Sequence, residues 1–329
     1  MSSIVSIIGL GEIGASFAMA LKEQGDSFHV IGADILKSAE ERAKEAGWVD
    51  EIIHNVFDAT AEADLVILAV PADETKSTLE LIGHDLRDTA VVLDCCPVKS
   101  AAAGWARQYM SNPENFVGIW PGVASKYLSE AQNGAKSAHA DLFKGAAMYI
   151  CPDSKTSETV VNLTAGLAKM FEMECSFTDP AELDGILAAD WHLPVVMGYS
   201  LVGCLSGRSG WADGKKACGK EFRSAAAPLW SVIDREEAGT ALMNNRENNI
   251  RVINEYMAEL KKLRDLLQNK DANGLRTYME DTGKSIDQWL KDYQQSNIAA
   301  SDNSPKIEVN AAETLRQTFF GGFLRKKKE

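Results

Sequence analysis

Apolar residues fall into short unbroken runs over the first half of this chain and into helical stripes over the second. Ile4-Val5-Ser6-Ile7-Ile8 ends at Gly9 and reads as a buried strand. The spacing behind it predicts a helix over about 13–24, with Gly25 as its stop, then a strand over 28–33 ending at Asp34. A second helix is expected from Ser38 to Glu45 before Gly47, which completes a βαβ unit. The runs 64–71 and 90–94 are apolar without alternation, as parallel strands covered on both faces are, and a helix over about 74–84 separates them. Residues 116–119, 147–150 and 174–177 continue the sheet. After Asp179 strand-like runs vanish and helical periodicity takes over to about Asp292.

This order predicts an α/β fold: a Rossmann-type, doubly wound, mostly parallel sheet over 1–178, followed by an all-helical domain over 179–297. Residues 298–329 are polar, contain Pro305, and are expected to form an extended tail. In the helical half, Ile250, Ile253, Met257, Leu260, Leu263 and Leu267 recur at three- and four-residue spacing. Such a stripe needs a partner surface, either within its own domain or across a homodimer.

Composition narrows the function classes. The 329 residues are 45% hydrophobic and 25% charged, as in soluble globular proteins, and the length suits two domains. A formal net charge of -13 opposes a nucleic-acid partner. The basic run Arg325–Lys328 follows Phe319, Phe320 and Phe323, and is read as a solvated end. Six cysteines without a C-x-x-C pair indicate neither a zinc site nor a disulfide framework. No basic leader precedes the first strand and no run of ~20 apolar residues is seen, so a cytoplasmic protein without a membrane partner is expected.

Gly9-Leu10-Gly11-Glu12-Ile13-Gly14 matches G-x-G-x-x-G between a strand and a helix. In that context Gly9 makes the tight turn, Gly11 lets a pyrophosphate approach and Gly14 lets helix and strand close up, while the helix N-terminus faces the anion. Asp34, about twenty residues on, is placed to accept hydrogen bonds from the adenosine ribose and to repel a 2′-phosphate. NAD is therefore expected, with NADP possible because Lys37 is near. Val70 and Pro71 should edge the crevice at the carboxyl ends of the strands.

Several segments in order resemble the prephenate/arogenate dehydrogenase family. Asp94-Cys95-Cys96-Pro97-Val98-Lys99 is similar to its D-x-x-S-V-K, and residues 118–125, Gly-Ile-Trp-Pro-Gly-Val-Ala-Ser, to its G-G-H-P-M-A-G-S. Asp141-Leu142-Phe143-Lys144-Gly145 is similar to D-L-F-x-G. Glu182-Leu183-Asp184 resembles E-H-D, His192-Leu193-Pro194 resembles part of S-H-L-P-H, and Asn245-Arg246-Glu247-Asn248 matches N-R-E-N. The resemblance implies NAD(P)-dependent oxidative decarboxylation of a cyclohexadienyl carboxylic acid on the route to tyrosine.

The departures fall on the chemistry. The family's catalytic histidine aligns with Trp120 and its serine with Pro97, neither of which can accept a proton. Its carboxylate-binding arginine is met by Arg223, one position early and so about a hundred degrees round a helix. His192 is the remaining candidate acid/base, or a histidine that only shapes the pocket; Asp184 could orient it if it shares its helix face, whereas Asp190, at i−2, points elsewhere. Lys99, Lys126, Ser125 and Trp120 are candidates for contact with the substrate. Oxidation of a different small carboxylic acid, or NAD binding without catalysis in a dimer, are the alternatives.

Overall fold

The structure is a computed structural model in which residues 2–130, 134–231 and 235–294 are described. The expected tail over 298–329 lies outside them. The chain opens β1 (Ser3–Ile8), α1 (Glu12–Lys22), β2 (Phe28–Ala33), α2 (Lys37–Glu45), β3 (Glu51–Ile52), α3 (Val56–Thr60), β4 (Leu65–Leu68) and α4 (Ala72–Ile82). It continues β5 (Val91–Asp94), α5 (Lys99–Tyr109), β6 (Phe116–Pro121), β7 (Ala147–Cys151), α6 (Glu158–Met170) and β8 (Glu174–Phe177). One eight-stranded sheet holds all the described strands in the order β3-β2-β1-β4-β5-β6-β7-β8. Every pairing is parallel except β6 with β7. The fold class is as expected from the sequence.

The unbroken apolar runs exist because both faces of the sheet are covered. Along β1, Val5 and Ile7 join the core formed with Phe17 and Leu21 of α1 and with Leu163 and Leu167 of α6. Ile4 and Ile8 face the other way, toward Leu79 of α4 and Ala102 and Ala106 of α5. Phe17 stacks near Phe143, 4.4 Å between ring centres, where the chain between β6 and β7 folds over α1.

Beyond β8 every described element is helical: α7 (Pro180–Leu187), α8 (Leu193–Ser206), α9 (Trp211–Ala217), α10 (Lys220–Ala225), α11 (Pro228–Ser231), α12 (Arg235–Asn244), α13 (Arg246–Gln268) and α14 (Ala272–Gln294). A π-helical turn over Ala188–His192 joins α7 to α8, with the Leu193 N–H donating to the carbonyl of Ala188, five residues back. Pro194 explains the wide turn: it has no N–H for the regular helical bond, and its ring crowds the carbonyl four residues earlier. The join makes Pro180–Ser206 one helix of 27 residues, containing an 18-residue window of mean hydropathy 1.2, long and apolar enough by length and composition to cross a membrane. Asp184, Asp190 and His192 break the apolar run in sequence, so scanning for unbroken runs misses this helix.

The α13 stripe is only partly covered among the described residues, with Ile253 and Leu263 half-buried. Ile250, Met257, Leu260 and Leu267 are exposed, as are Met279, Ile286, Trp289 and Leu290 of α14. The far end of α14 returns to the sheet, where the Tyr293 hydroxyl donates to the carbonyl of Val123 at 2.6 Å, just after β6.

Candidate active site

The glycine elbow has the geometry that its spacing predicts. Gly9 has φ +92°, in the left-handed region, and a Cβ there would strike the Ala69 carbonyl; a Cβ on Gly14 would strike the carbonyl of Gly9. At Gly11 a Cβ would meet nothing within 4 Å. Gly9 and Gly14 are thus closed packing positions, whereas Gly11 borders open space at the N-terminus of α1, where backbone N–H groups and the helix dipole favour an anion. The cradle fits a dinucleotide pyrophosphate.

Asp34, at the end of β2, is half-exposed, and its carboxylate accepts the Leu10 N–H and the Leu36 N–H, both at 2.7 Å. It therefore braces the elbow while keeping acceptor capacity for a ligand hydroxyl. Ile35 is 75% exposed beside it, an apolar platform at the same edge. Val70 and Pro71 follow β4, and Pro71 is the N-cap residue of α4, so both stand at the carboxyl edge of the sheet. Glu12 and Ile13 open α1. The Glu12 carboxyl, hydrogen-bonded to Ser137, is pushed above the usual carboxylate range by burial and by Glu130. What Glu12 offers an anion is its backbone N–H.

At β5 the chain turns through Cys95, Cys96 and Pro97 into α5. Lys99 does not face a substrate: its side chain has no exposed surface, and Nζ bonds the Asp94 carboxylate at 3.0 Å and the Asp94 carbonyl at 2.8 Å. Burial alone would lower the lysine's pKa, but Asp94 against it raises it on balance. The cation neutralises a fully buried carboxylate that also accepts from the Cys96 backbone and Thr75. Burial pushes the Cys95 and Cys151 thiols up to about 12, so neither is a ready nucleophile. Lys126, likewise, is ion-paired with Asp141.

Trp120 faces Tyr149 across the β6–β7 pair and packs with it against Leu183 and Leu187 of α7. Tyr149 is held above its usual range by burial and then by Asp190 and Glu182. Ser125 opens the turn after Ala124, four residues past β6. Arg223 lies exposed on the short α10.

His192 closes the π-turn and is fully buried. Its Nδ1 lies 2.9 Å from Asn249 Oδ1, on α13, and neither Asp184 nor Asp190 bonds the ring. The Asp184 carboxylate accepts instead from the Lys99 N–H at 2.6 Å and the Ser100 N–H at 2.9 Å, capping α5 from α7. Asn245 Nδ2 donates to the Asp184 carbonyl at 2.7 Å. Burial lowers the His192 pKa below its ordinary value; Asn249, Asp184 and the Pro97 carbonyl oppose it. Among the described residues no hydrogen bond of ordinary geometry reaches Nε2. A chain of polar groups thus joins the β5 turn, α7, the π-turn and α13, bringing His192 to Pro97 while leaving Arg223 and Ser125 on other elements. Asn245 opens the N-R-E-N segment, whereas Asn249 gave no sequence signal beyond its place at the start of a long helix.

Two family models match the chain: prephenate dehydrogenase, nucleotide-binding domain, over residues 17–173, and prephenate dehydrogenase, dimerization domain, over residues 179–281. The prephenate dehydrogenase of Bacillus subtilis is 25% identical, over 91% of this chain and 79% of its own. The cyclohexadienyl dehydrogenase of Zymomonas mobilis is 25% identical, over 85% and 94%. Among solved structures, prephenate dehydrogenase from A. aeolicus, in complex with hydroxyphenyl propionate and NAD+, superposes with a TM-score of 0.75 at 22% identity, covering 88% of this chain and 98% of that one. Synechocystis arogenate dehydrogenase superposes with a TM-score of 0.65 at 24% identity, covering 87% and 99%.

Proposed function

We propose that this chain, which belongs to the prephenate/arogenate dehydrogenase family, is an NAD(P)-dependent dehydrogenase that oxidatively decarboxylates a cyclohexadienyl carboxylic acid. The observation that carries the reading is the elbow in which Gly9 and Gly14 are sterically obligatory, Gly11 borders open space and Asp34 braces the loop. Gly9, Gly11 and Gly14, with the N–H groups of Glu12 and Ile13, would hold the pyrophosphate; Asp34 would take the ribose, favouring NAD over NADP. Val70 and Pro71 would flank the nicotinamide end.

Bound there, the oxidised nicotinamide supplies the hydride acceptor. The protein's remaining work is to place the acid and to handle one proton. His192 is the group we assign to that proton: it passes from the substrate hydroxyl to Nε2 as the C–O bond becomes a carbonyl. It returns to the oxygen once carbon dioxide has left and the ring is aromatic, so no net proton is consumed. Trp120 and Tyr149 form an apolar wall for a planar ring. Arg223 and Ser125 are assigned to the carboxylate side, and Lys99 is excluded because its Nζ is committed to the Asp94 carboxylate and carbonyl.

A homodimer through the helical half belongs to the same reading. It is supported by the dimerization-domain match, by the exposed α13 stripe and by Pro180–Ser206, of whose apolar window only 28% is buried within one chain. We place the 1–178 and 179–297 units, and a cytosolic location, within this reading as well. The test is NADH formation at 340 nm with prephenate and with arogenate. Turnover with either supports the reading; its absence with both, alongside turnover of another small carboxylic acid, shifts it to that substrate class.

A further inference from the structure

Among the described residues one buried side-chain nitrogen or oxygen lacks a hydrogen-bond partner, and it is His192 Nε2. Leaving such an atom unpaired costs about 1–3 kcal/mol, so folded proteins rarely keep one without a use for it. The other ring nitrogen has a partner whose orientation is fixed from behind. Asn249 Nδ2 donates to the Leu242 carbonyl at 2.8 Å, at the end of α12, so its Oδ1 must be the atom turned to the histidine. Rotating the amide would set two oxygens against each other. Asn245 is the weaker neighbour of the ring: one of its Nδ2 hydrogens goes to the Asp184 carbonyl at 2.7 Å, and Nδ2 lies 3.5 Å from Nδ1, against 2.9 Å for Asn249 Oδ1. Because Oδ1 can only accept, Nδ1 must carry a hydrogen.

We propose that Asn249 is a positioning residue that locks neutral His192 in the Nδ1–H tautomer, so that Nε2 is a bare acceptor for a ligand hydroxyl at the β5 turn. The proposal deepens the proton-transfer role assigned above and rests on that reading for the identity of the hydroxyl, though not for the tautomer. It also commits to a ligand class: an alcohol donates to Nε2, whereas a ketone at the same place leaves it unpaired. Four surroundings act on the ring. Asp184, on α7, contributes a negative charge; the Pro97 carbonyl, after β5, favours the cation once a proton arrives; Asn249, on α13, holds Nδ1; and the Trp191 ring lies edge-on at 5.1 Å. The nearby Lys99 cation is matched by Asp94.

The test uses the full chain labelled with 15N only in histidine, of which there are five, and assigns His192 by difference from His192→Gln. Long-range 1H–15N correlation at neutral pH is expected to show a protonated Nδ1 and an unprotonated Nε2. Asn249→Leu removes the acceptor, and the signal should become a tautomer mixture or the Nε2–H form. Asn249→Asp keeps an acceptor and should restore the Nδ1–H form, with its protonation midpoint shifted upward. An Nε2–H form in the parent protein, with the Pro97 carbonyl as its acceptor, overturns the proposal. So does a pure Nδ1–H form in a folded Asn249→Leu. If Asn249→Leu does not fold, the parent and Asn249→Asp spectra decide. Kinetics separate the two readings. If the dehydrogenase reading holds, the acidic limb of kcat/KM should move upward in Asn249→Asp, by the same shift as the midpoint. If no acid is turned over while the Nδ1–H form is seen, the dehydrogenase reading fails and the tautomer lock stands.

Discussion

Asp184→Ala should cost this protein more than its single-residue size suggests, because the carboxylate stitches α7 to α5. The residue is 4% exposed and accepts the first two N–H groups of α5, whose own N-cap residue, Val98, supplies no side-chain bond. Hydrogen bonds to a charged group contribute roughly 1.5–3 kcal/mol each. The Ser100 amide belongs to an exposed residue and can regain water, so its share is discounted, while the Lys99 amide is buried and cannot. A carboxylate at a helix N-terminus adds a few tenths to about 1 kcal/mol through the dipole. The expected loss is about 2–4 kcal/mol for Asp184→Ala, and about half of that for Asp184→Asn, which keeps one acceptor without the charge. Urea unfolding followed by circular dichroism measures it, with hydrogen exchange at Lys99 and Ser100 as a local readout. A loss below about 0.5 kcal/mol, or unchanged exchange at Lys99, would refute the reasoning.

Three further outcomes follow from the same neighbourhood. Lys99→Met strands the buried Asp94 carboxylate and should destabilise by about 3–5 kcal/mol, whereas the double variant with Asp94→Asn should recover much of that in thermal unfolding. A Cβ on Gly118 would lie 2.7 Å from Cys151 Sγ and 3.0 Å from Lys99 Cδ, so Gly118→Ala should cost about 1–3 kcal/mol, and adding Cys151→Ala should return most of it. His192 titrates below its ordinary value of about 6.5 because it is buried, so the unfolded chain takes up a proton that the folded one refuses. Stability should therefore fall as pH drops below about 6.5, more in the parent than in His192→Gln; parallel curves would contradict this.

What the sequence made legible was periodic or glycine-marked. The parallel strands announced themselves as apolar runs because both faces are covered, and the elbow because only glycine fits at Gly9 and Gly14. The two-residue β3 carries too short a pattern to see, and the reversal of β7 leaves no mark on its composition. Lys99 looks like any lysine near a loop until the fold sets it on Asp94, five residues back. The membrane-length helix was hidden by acidic residues that the fold uses: Asp184 caps α5, and Asp190 lies near Tyr149. The candidate site was half legible. His192 stood out as a titratable residue in an apolar stretch, whereas its partner Asn249 lies 57 residues away on another helix, and no spacing rule connects them.

The central claim is the dinucleotide cradle, and calorimetry on the full chain tests it most directly. NAD+ and NADH should each bind once per chain. Asp34→Ala should weaken binding roughly 10–100-fold, the worth of about 1.5–3 kcal/mol in hydrogen bonds to a carboxylate, while leaving NADP less affected. Absence of binding by both NAD+ and NADH at millimolar concentration would contradict the account.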